Sequence, residues 1–291
     1  MRLSLSNPTE VFKNNAGILS FLIQRKTSLF GLIIISFAFF ISITAPWIAP
    51  YNPITVDMPH MLEPPNYSHL LGTDVLGRDI LSRILWGSRV SLLVGAISVS
   101  IGLSFGILFG LVSGYYGGRI EYAIMRLVDI LLSFPMLILA LAISAMRGPS
   151  IGNTIVALSI AMAPNFARLI RGITLSIREN DYIAAAKASG AHDITIILRH
   201  VLPNAAPPII VQATLSLASA TLAEAGLSFL GVGIRPPTPS WGNMISDGRA
   251  YLRIAPWISV FPGFAIMLMV FGFNLLGEGL RDFIDPRMKN I

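Results

Sequence analysis

Cysteine is absent from all 291 residues, which excludes disulfides, thiolate metal sites and a cysteine nucleophile. Charge is scarce as well, with 12% of residues charged against 54% hydrophobic. At a mean hydropathy of +0.70 the chain lies outside the soluble range, and a bilayer is its expected solvent. The four histidines, His60, His69, His192 and His200, fall in connections between apolar runs, so no span pairs a serine with a histidine base. A GxxxxGK[ST] phosphate loop is missing from the sequence. So is any basic run with interleaved aromatics, and the net charge of +6 therefore does not read as a nucleic-acid footprint.

What is present is a series of long uncharged segments. Leu29 to Ala49 is uncharged throughout and long enough to cross a hydrocarbon core of roughly 30 Å. It exceeds a signal-peptide core and ends in APWIAP, so it reads as an uncleaved first helix. Comparable segments follow at Val90 to Gly114, Leu127 to Met146, Ile151 to Ile170, Ala206 to Gly231 and Trp257 to Leu276, which makes six spans. With both termini cytoplasmic, Lys and Arg in the connections divide 14 inside to 7 outside, the direction that the positive-inside rule favours. The expected organisation is a cytoplasmic segment 1–28, a first helix 29–49 and an extracytoplasmic loop 50–89. A five-helix core 90–279 with a cytoplasmic segment 171–203 follows, then a cytoplasmic tail 280–291.

Two connections stand out. The outer loop ends in a stretch where Ile80, Leu81, Ile84 and Leu85 share one helical face, opposite Arg78, Asp79, Ser82, Arg83 and Arg89, a pattern expected to lie along the membrane surface. The inner connection contains DYIAAAKASGAHDITIILRHVLPN, Asp181 to Asn204. Ser176 and Glu179 have capping-box spacing, and Asn180 to Ser189 reads as a short helix ended by Gly190, with a second short helix closed at Pro203. Ala184, Ala185 and Ala188 would let another protein approach the backbone closely, although a solvated helical loop has the same pattern.

The run AAAKASG followed by LP resembles the cytoplasmic signature of ABC-importer permeases, with Ala185, Ala186, Gly190, Leu202 and Pro203 on its positions. Ala184 replaces the usual glutamate and His200 the usual isoleucine, as the peptide and nickel branch permits. GTDVLGRDILSRILWGSRVSL (72–92), LSFPMLILALA (132–142), EAGLSFLGVGIRPPTPSWGNMI (224–245) and FPGFAIMLMVFGFNLLGEGLRDFIDPR (261–287) are also similar to the C-type permease of dipeptide and oligopeptide importers. The resemblance implies an all-α, multi-pass subunit of a prokaryotic cell membrane with the type I importer fold and no catalysis of its own. Its substrate would be a di- or oligopeptide, with nickel or another small solute as the alternative.

Tyr182, Ala184, Ala185, Ala186, Lys187, Gly190, Leu202 and Pro203 would then form the element seated in an ATPase cleft. The implied partners are a homologous second permease, two ATPases, an extracytoplasmic solute-binding protein and the lipid bilayer. The chain would bind no cofactor and no nucleic acid. ATP and Mg²⁺ would be used by the ATPases, in keeping with the missing phosphate loop.

Gly102, Gly106, Gly110 and Gly114 recur every four residues, a small-residue stripe for helix packing. Asp129 and Glu224 interrupt apolar spans, where ionisable groups must face protein or water. Asp129 is expected to pair with Arg126 one turn away. Glu224 is a candidate for the translocation path or for a hydrogen bond to a neighbouring helix. The two acids should lie near opposite faces of the bilayer, which excludes a catalytic dyad. His60 and His69 read as solvated loop residues. Pro135, Pro164 and Pro262 interrupt spans, as in a stand-alone secondary transporter, but such a protein has no need of a docking helix inside.

Overall fold

The computed structural model describes residues 25–284. Residues 1–24 of the expected segment 1–28, residues 285–291 of the expected tail 280–291, and the charges on Arg2, Lys13, Arg287 and Lys289 lie outside the described residues. Long helices carry the architecture: α1 (Lys26–Ile48), α2 (Ile80–Tyr116), α3 (Gly118–Leu132), α4 (Met136–Arg147) and α5 (Ile151–Arg178). Next come the short α6 (Asp181–Ala188) and α7 (Asp193–Ile196), then α8 (Leu202–Phe229), α9 (Trp241–Gly248) and α10 (Trp257–Ile284). Among the described residues, five helices are long and apolar enough to cross a membrane, or six elements if the bent pair α3 and α4 counts as one span.

α2 departs from expectation at its start. The amphipathic stretch 80–89 does not lie along the membrane surface but is the first part of one 37-residue helix, about 55 Å long and so extending well past a hydrocarbon core. Its charged face is covered rather than solvated at Arg78, Asp79, Ser82 and Arg83, and only Arg89 of that face is exposed. The Arg78 Nε donates to Asp74 Oδ2 at 2.6 Å, and Arg83, only 2% exposed, donates from Nη1 to the Pro53 carbonyl at 3.1 Å. Asp79 caps the helix by accepting from the Ser82 N–H. Its other oxygen lies 2.9 Å from Nδ1 of His69, which is buried and not solvated as its loop position suggested. The loop 50–79 is therefore a folded cap, tied also to α10 by the Trp257 indole, which donates to the Thr73 carbonyl.

The segment expected as one span over Leu127 to Met146 is broken, with α3 and α4 meeting at 87°. Pro135 explains the break, since it has no N–H to continue the ladder and it drives Phe134 out of the helical region. Asp129 pairs with Arg168 on α5 instead of with Arg126. The bend turns that face of α3 toward α5, and both side chains of the pair remain more than half exposed.

The glycine stripe of α2 meets α5. A Cβ on Gly106 would sit 2.2 Å from the Cβ of Phe166, and one on Gly110 would sit 2.7 Å from that of Ile170. Backbone contact at this distance needs a residue without a side chain, and it makes α2 with α5 the most intimate helix pair of the bundle. α1 packs on α10, where Phe30 and Phe271 meet edge to face at 6.4 Å and Arg25 pairs with Asp282. The outward residues of α1 are large and apolar, among them Phe37, Phe40 and Ile43, as a lipid-facing surface requires.

Candidate functional site

At the end of α2 remote from the folded cap, α6 stands on a cluster of buried residues formed by Tyr115, Ile177, Ile183, Ile196, Ile197 and Val201. Ile183 is 1% exposed and anchors the helix. The opposite face presents Asp181, Ala184, Ala185 and Ala188, all exposed, at the spacing that puts them on one stripe. Tyr182 and Lys187 are also exposed, while Ala186 is half-buried against the cluster, so it belongs to the inner face. Partial burial pushes the Tyr182 hydroxyl above its ordinary value.

The ends of α6 are set by different devices. Gly190 adopts φ +79°, its N–H donates to the Lys187 carbonyl and the Ala191 N–H donates to the Ala186 carbonyl. This pair of bonds is the Schellman cap that a glycine after a short helix signals. At the start, the capping box expected from Ser176 and Glu179 does not form, because α5 continues through Ser176 to Arg178 and buries Thr174 and Ile177 along the way. Asn180 occupies the junction, its Nδ2 donating to the carbonyls of Ser176 and Ile177. It thereby satisfies the end of α5 rather than capping α6.

Pro203 does not close the second short helix. α7 runs on through a wide turn, Ile197–Val201, in which the Leu202 N–H reaches back five residues to the Ile197 carbonyl, and then directly into α8. Pro203 sits in the first turn of α8, where its missing N–H is tolerated because the wider turn has already displaced the regular ladder. Leu202 packs against the same buried cluster as Ile183. The site residues expected at 182–190 and those at 202–203 thus share one packing unit.

Glu224 lies elsewhere, 22 residues further along α8 and so about 33 Å away. It is fully buried. Its Oε2 accepts from the Ser91 hydroxyl of α2 at 2.8 Å and its Oε1 from the Ser228 hydroxyl at 2.9 Å. Ser228 Oγ in turn accepts from the Ile234 N–H. Sequence reasoning singled out Glu224 but not Ser91 or Ser228. Nor did it single out Tyr115, whose hydroxyl donates to Asp193 Oδ1 at 2.7 Å, or Arg178, whose Nη1 donates to the Tyr115 carbonyl at 3.1 Å. Tyr115 follows Gly114 directly, so a polar aromatic at the end of the glycine stripe was the available signal.

The family model for the inner membrane component of binding-protein-dependent transport systems matches residues 106–290. The chain belongs to that family. Residues 18–65 also match the N-terminal transmembrane domain of oligopeptide transport permease C, the region that contributes α1. A dipeptide transport system permease protein from Alkalihalophilus pseudofirmus is 46% identical over 267 residues, covering 92% of this chain and 88% of the relative. A di/tripeptide transport system permease protein from Pseudomonas aeruginosa is 45% identical, with 92% and 90% covered. A glutathione transport system permease protein from Escherichia coli O157:H7 is 46% identical, with 86% and 82% covered. In fold, the chain is similar to the inward-facing methionine ABC transporter, at TM-score 0.54 and 22% identity over 70% of this chain and 95% of that one. This family member is accordingly a multi-pass helical protein of the inner membrane.

Proposed function

We propose that the chain is the C-type permease subunit of an ATP-driven importer of di- or oligopeptides, forming half of the translocation path and coupling to a separate ATPase through α6 and α7. The observation that carries the coupling role is the two-sidedness of α6: one face is fixed on the chain's own core by Ile183, and the other offers a stripe of exposed alanines. Small side chains on a rigidly held helix suit insertion into a protein groove, since little side-chain freedom is lost on docking. The peptide substrate is supported by relatives at 45 to 46% identity named for dipeptide and di/tripeptide transport.

In this reading the α6 end faces the cytoplasm, where two ATPases bind and use ATP with Mg²⁺, while this subunit performs no catalysis and holds no cofactor. A homologous but distinct permease completes the path. A solute-binding protein delivers peptide to the side bearing the folded cap 50–79. The burial of Glu224 and its two hydroxyl partners support an interhelical tie over a side chain that lines the path.

The test is uptake of labelled dialanine by cells that lack this chain, that lack the ATPase, or that contain both. Uptake is expected only with both. Uptake that persists without the ATPase favours a secondary transporter, and nickel uptake in place of dialanine uptake reassigns the substrate.

A further inference from the structure

Tyr115 is the last buried aromatic of α2, 4% exposed, and it meets the α6–α7 segment in two places. Its hydroxyl donates to Asp193 Oδ1 at the start of α7, and the Lys187 ammonium lies 5.0 Å from the centroid of its ring, on the last turn of α6. Its own backbone is held in turn, since Arg178 at the end of α5 donates to the carbonyls of both Gly114 and Tyr115. Such a cation at a helix C-terminus satisfies carbonyls that have no partner within the helix. The hydroxyl and the aspartate are 78 residues apart in sequence.

We propose that Tyr115 is a positioning residue that makes the α6–α7 segment move as one body with the end of α2. α6 is joined covalently to α5 through Glu179 and Asn180 and, beyond α7, to α8, but no such link reaches α2. A push on α6 could therefore be absorbed by the α5 junction, or by the wide turn before α8, without displacing α2. The Tyr115–Asp193 bond closes that gap by a route independent of both connections. From Tyr115, displacement passes to α5 along the backbone contact at Gly114, where a Cβ would lie 2.7 Å from that of Thr174. α2 and α5 then respond together. This inference rests on the reading of α6 as the element seated in an ATPase.

The variants separate a tether from general packing. Tyr115→Phe keeps the ring in the cluster and deletes the hydroxyl. Asp193→Asn keeps an acceptor for that hydroxyl, and Asp193→Leu does not. In the complete reconstituted complex, with both permeases, the ATPases and the binding protein, Tyr115→Phe and Asp193→Leu should each raise the ATP hydrolysed per dialanine imported several-fold. Bound ATPase should remain at the wild-type level. Asp193→Asn should keep the wild-type ratio, and the double variant Tyr115→Phe with Asp193→Leu should be no worse than either single one.

A second, substrate-free readout is amide hydrogen exchange of residues 181–190 in the same complexes. Losing the bond should speed it by about five- to tenfold, and Asp193→Asn should leave it unchanged. Wild-type exchange in Tyr115→Phe, or additive defects in the double variant, would overturn the tether. Ala185→Trp tells this failure from failure of the underlying reading. If Ala185→Trp leaves the ATPase bound, the docking role of α6 is wrong. If it displaces the ATPase while Tyr115→Phe changes neither the ratio nor the exchange, the tether alone is wrong.

Discussion

Ser91 on α2 and Glu224 on α8 are joined by a 2.8 Å hydrogen bond across 133 residues of sequence, inside a part of the protein with no access to solvent. Both oxygens of the carboxyl have a hydroxyl partner, so the group is engaged at each end. An acid placed this way fixes the separation of two helices. It is costly to leave half-made, because an orphaned buried polar group loses its hydration without compensation.

Glu224→Gln should therefore preserve most of the tie and most of transport, whereas Glu224→Leu, which strands both hydroxyls, should destabilise the subunit by about 1–3 kcal/mol. Thermal unfolding in detergent and recovery of the intact complex measure this. A Glu224→Gln variant that assembles normally but shifts the pH profile of uptake would instead place the carboxyl on the solute path.

The glycines of α2 give a graded expectation. An added Cβ meets Phe166 Cβ at 2.2 Å from Gly106, but meets the Ser159 carbonyl at 3.1 Å and Met162 Cβ at 3.4 Å from Gly102. Gly106→Ala should cost about 1–3 kcal/mol or prevent folding, with Gly102→Ala much milder. Gly172, with nothing within 4 Å, is the control. There an alanine should be neutral or stabilise α5 by up to about 1 kcal/mol. Equal melting temperatures for the Gly106 and Gly172 variants would contradict the close packing of α2 on α5.

The folded cap depends on Asp74, whose two oxygens serve the Arg78 Nε and the backbone N–H groups of Leu76 and Arg78, with the Arg83 Nε 3.4 Å away. Asp74→Ala leaves two buried guanidinium groups short of an anion, a change in the range of about 3–5 kcal/mol. Limited trypsin digestion should then cut after Arg78, which is shielded in the native cap. Asp247 is a weaker member, at 3.4 Å from Arg78, and burial holds its carboxyl above the usual range while Arg78 and Arg83 pull it down. An acid with its folded pKa above the unfolded one destabilises the fold as pH rises between the two values. Asp247→Asn should therefore remove that slope and be neutral or mildly stabilising at pH 7, as unfolding curves across pH would show.

These residues show where sequence reading succeeded and where it stopped. Span positions were legible because hydrophobic length is a one-dimensional signal, and the glycine stripe and Gly190 cap were legible because each depends on a local spacing. The start of α2 was not. Its arginines looked like a solvated face, and nothing local shows that Asp74 and Pro53 fold back to cover Arg78 and Arg83. The break at Pro135 was visible as a proline but not as an 87° bend, since packing decides between a kink and a turn. Asp129 chose Arg168 over Arg126 for the same reason. The partners of Glu224 and Tyr115 lie 133 and 78 residues away, beyond any periodicity.

The two sides of α6 should respond differently to added bulk. Ala185 is exposed and Ala186 half-buried, so bulky replacements at neighbouring positions should fail in different ways. Ala185→Trp adds its ring on the outer stripe, and the subunit should fold, insert and pair with its sister permease normally while losing bound ATPase. Ala186→Trp drives the ring toward Ile183 and its cluster, and overpacking there typically costs about 1–3 kcal/mol, so the subunit itself should become less stable. Gly190→Val is a third case. No atom lies within 4 Å of its added Cβ, yet its φ of +79° is strained for a β-branched residue, at a cost of about 1–2 kcal/mol borne by the cap alone. It should uncouple ATP hydrolysis from uptake without altering the melting temperature of the membrane helices. The measurements are ATPase stoichiometry in the purified complex, ATP hydrolysed per peptide imported, and thermal unfolding, each for all three variants. If Ala185→Trp and Gly190→Val match the wild type in stoichiometry and coupling, the exposed alanine stripe is a solvated surface and the ATPase must engage the protein elsewhere.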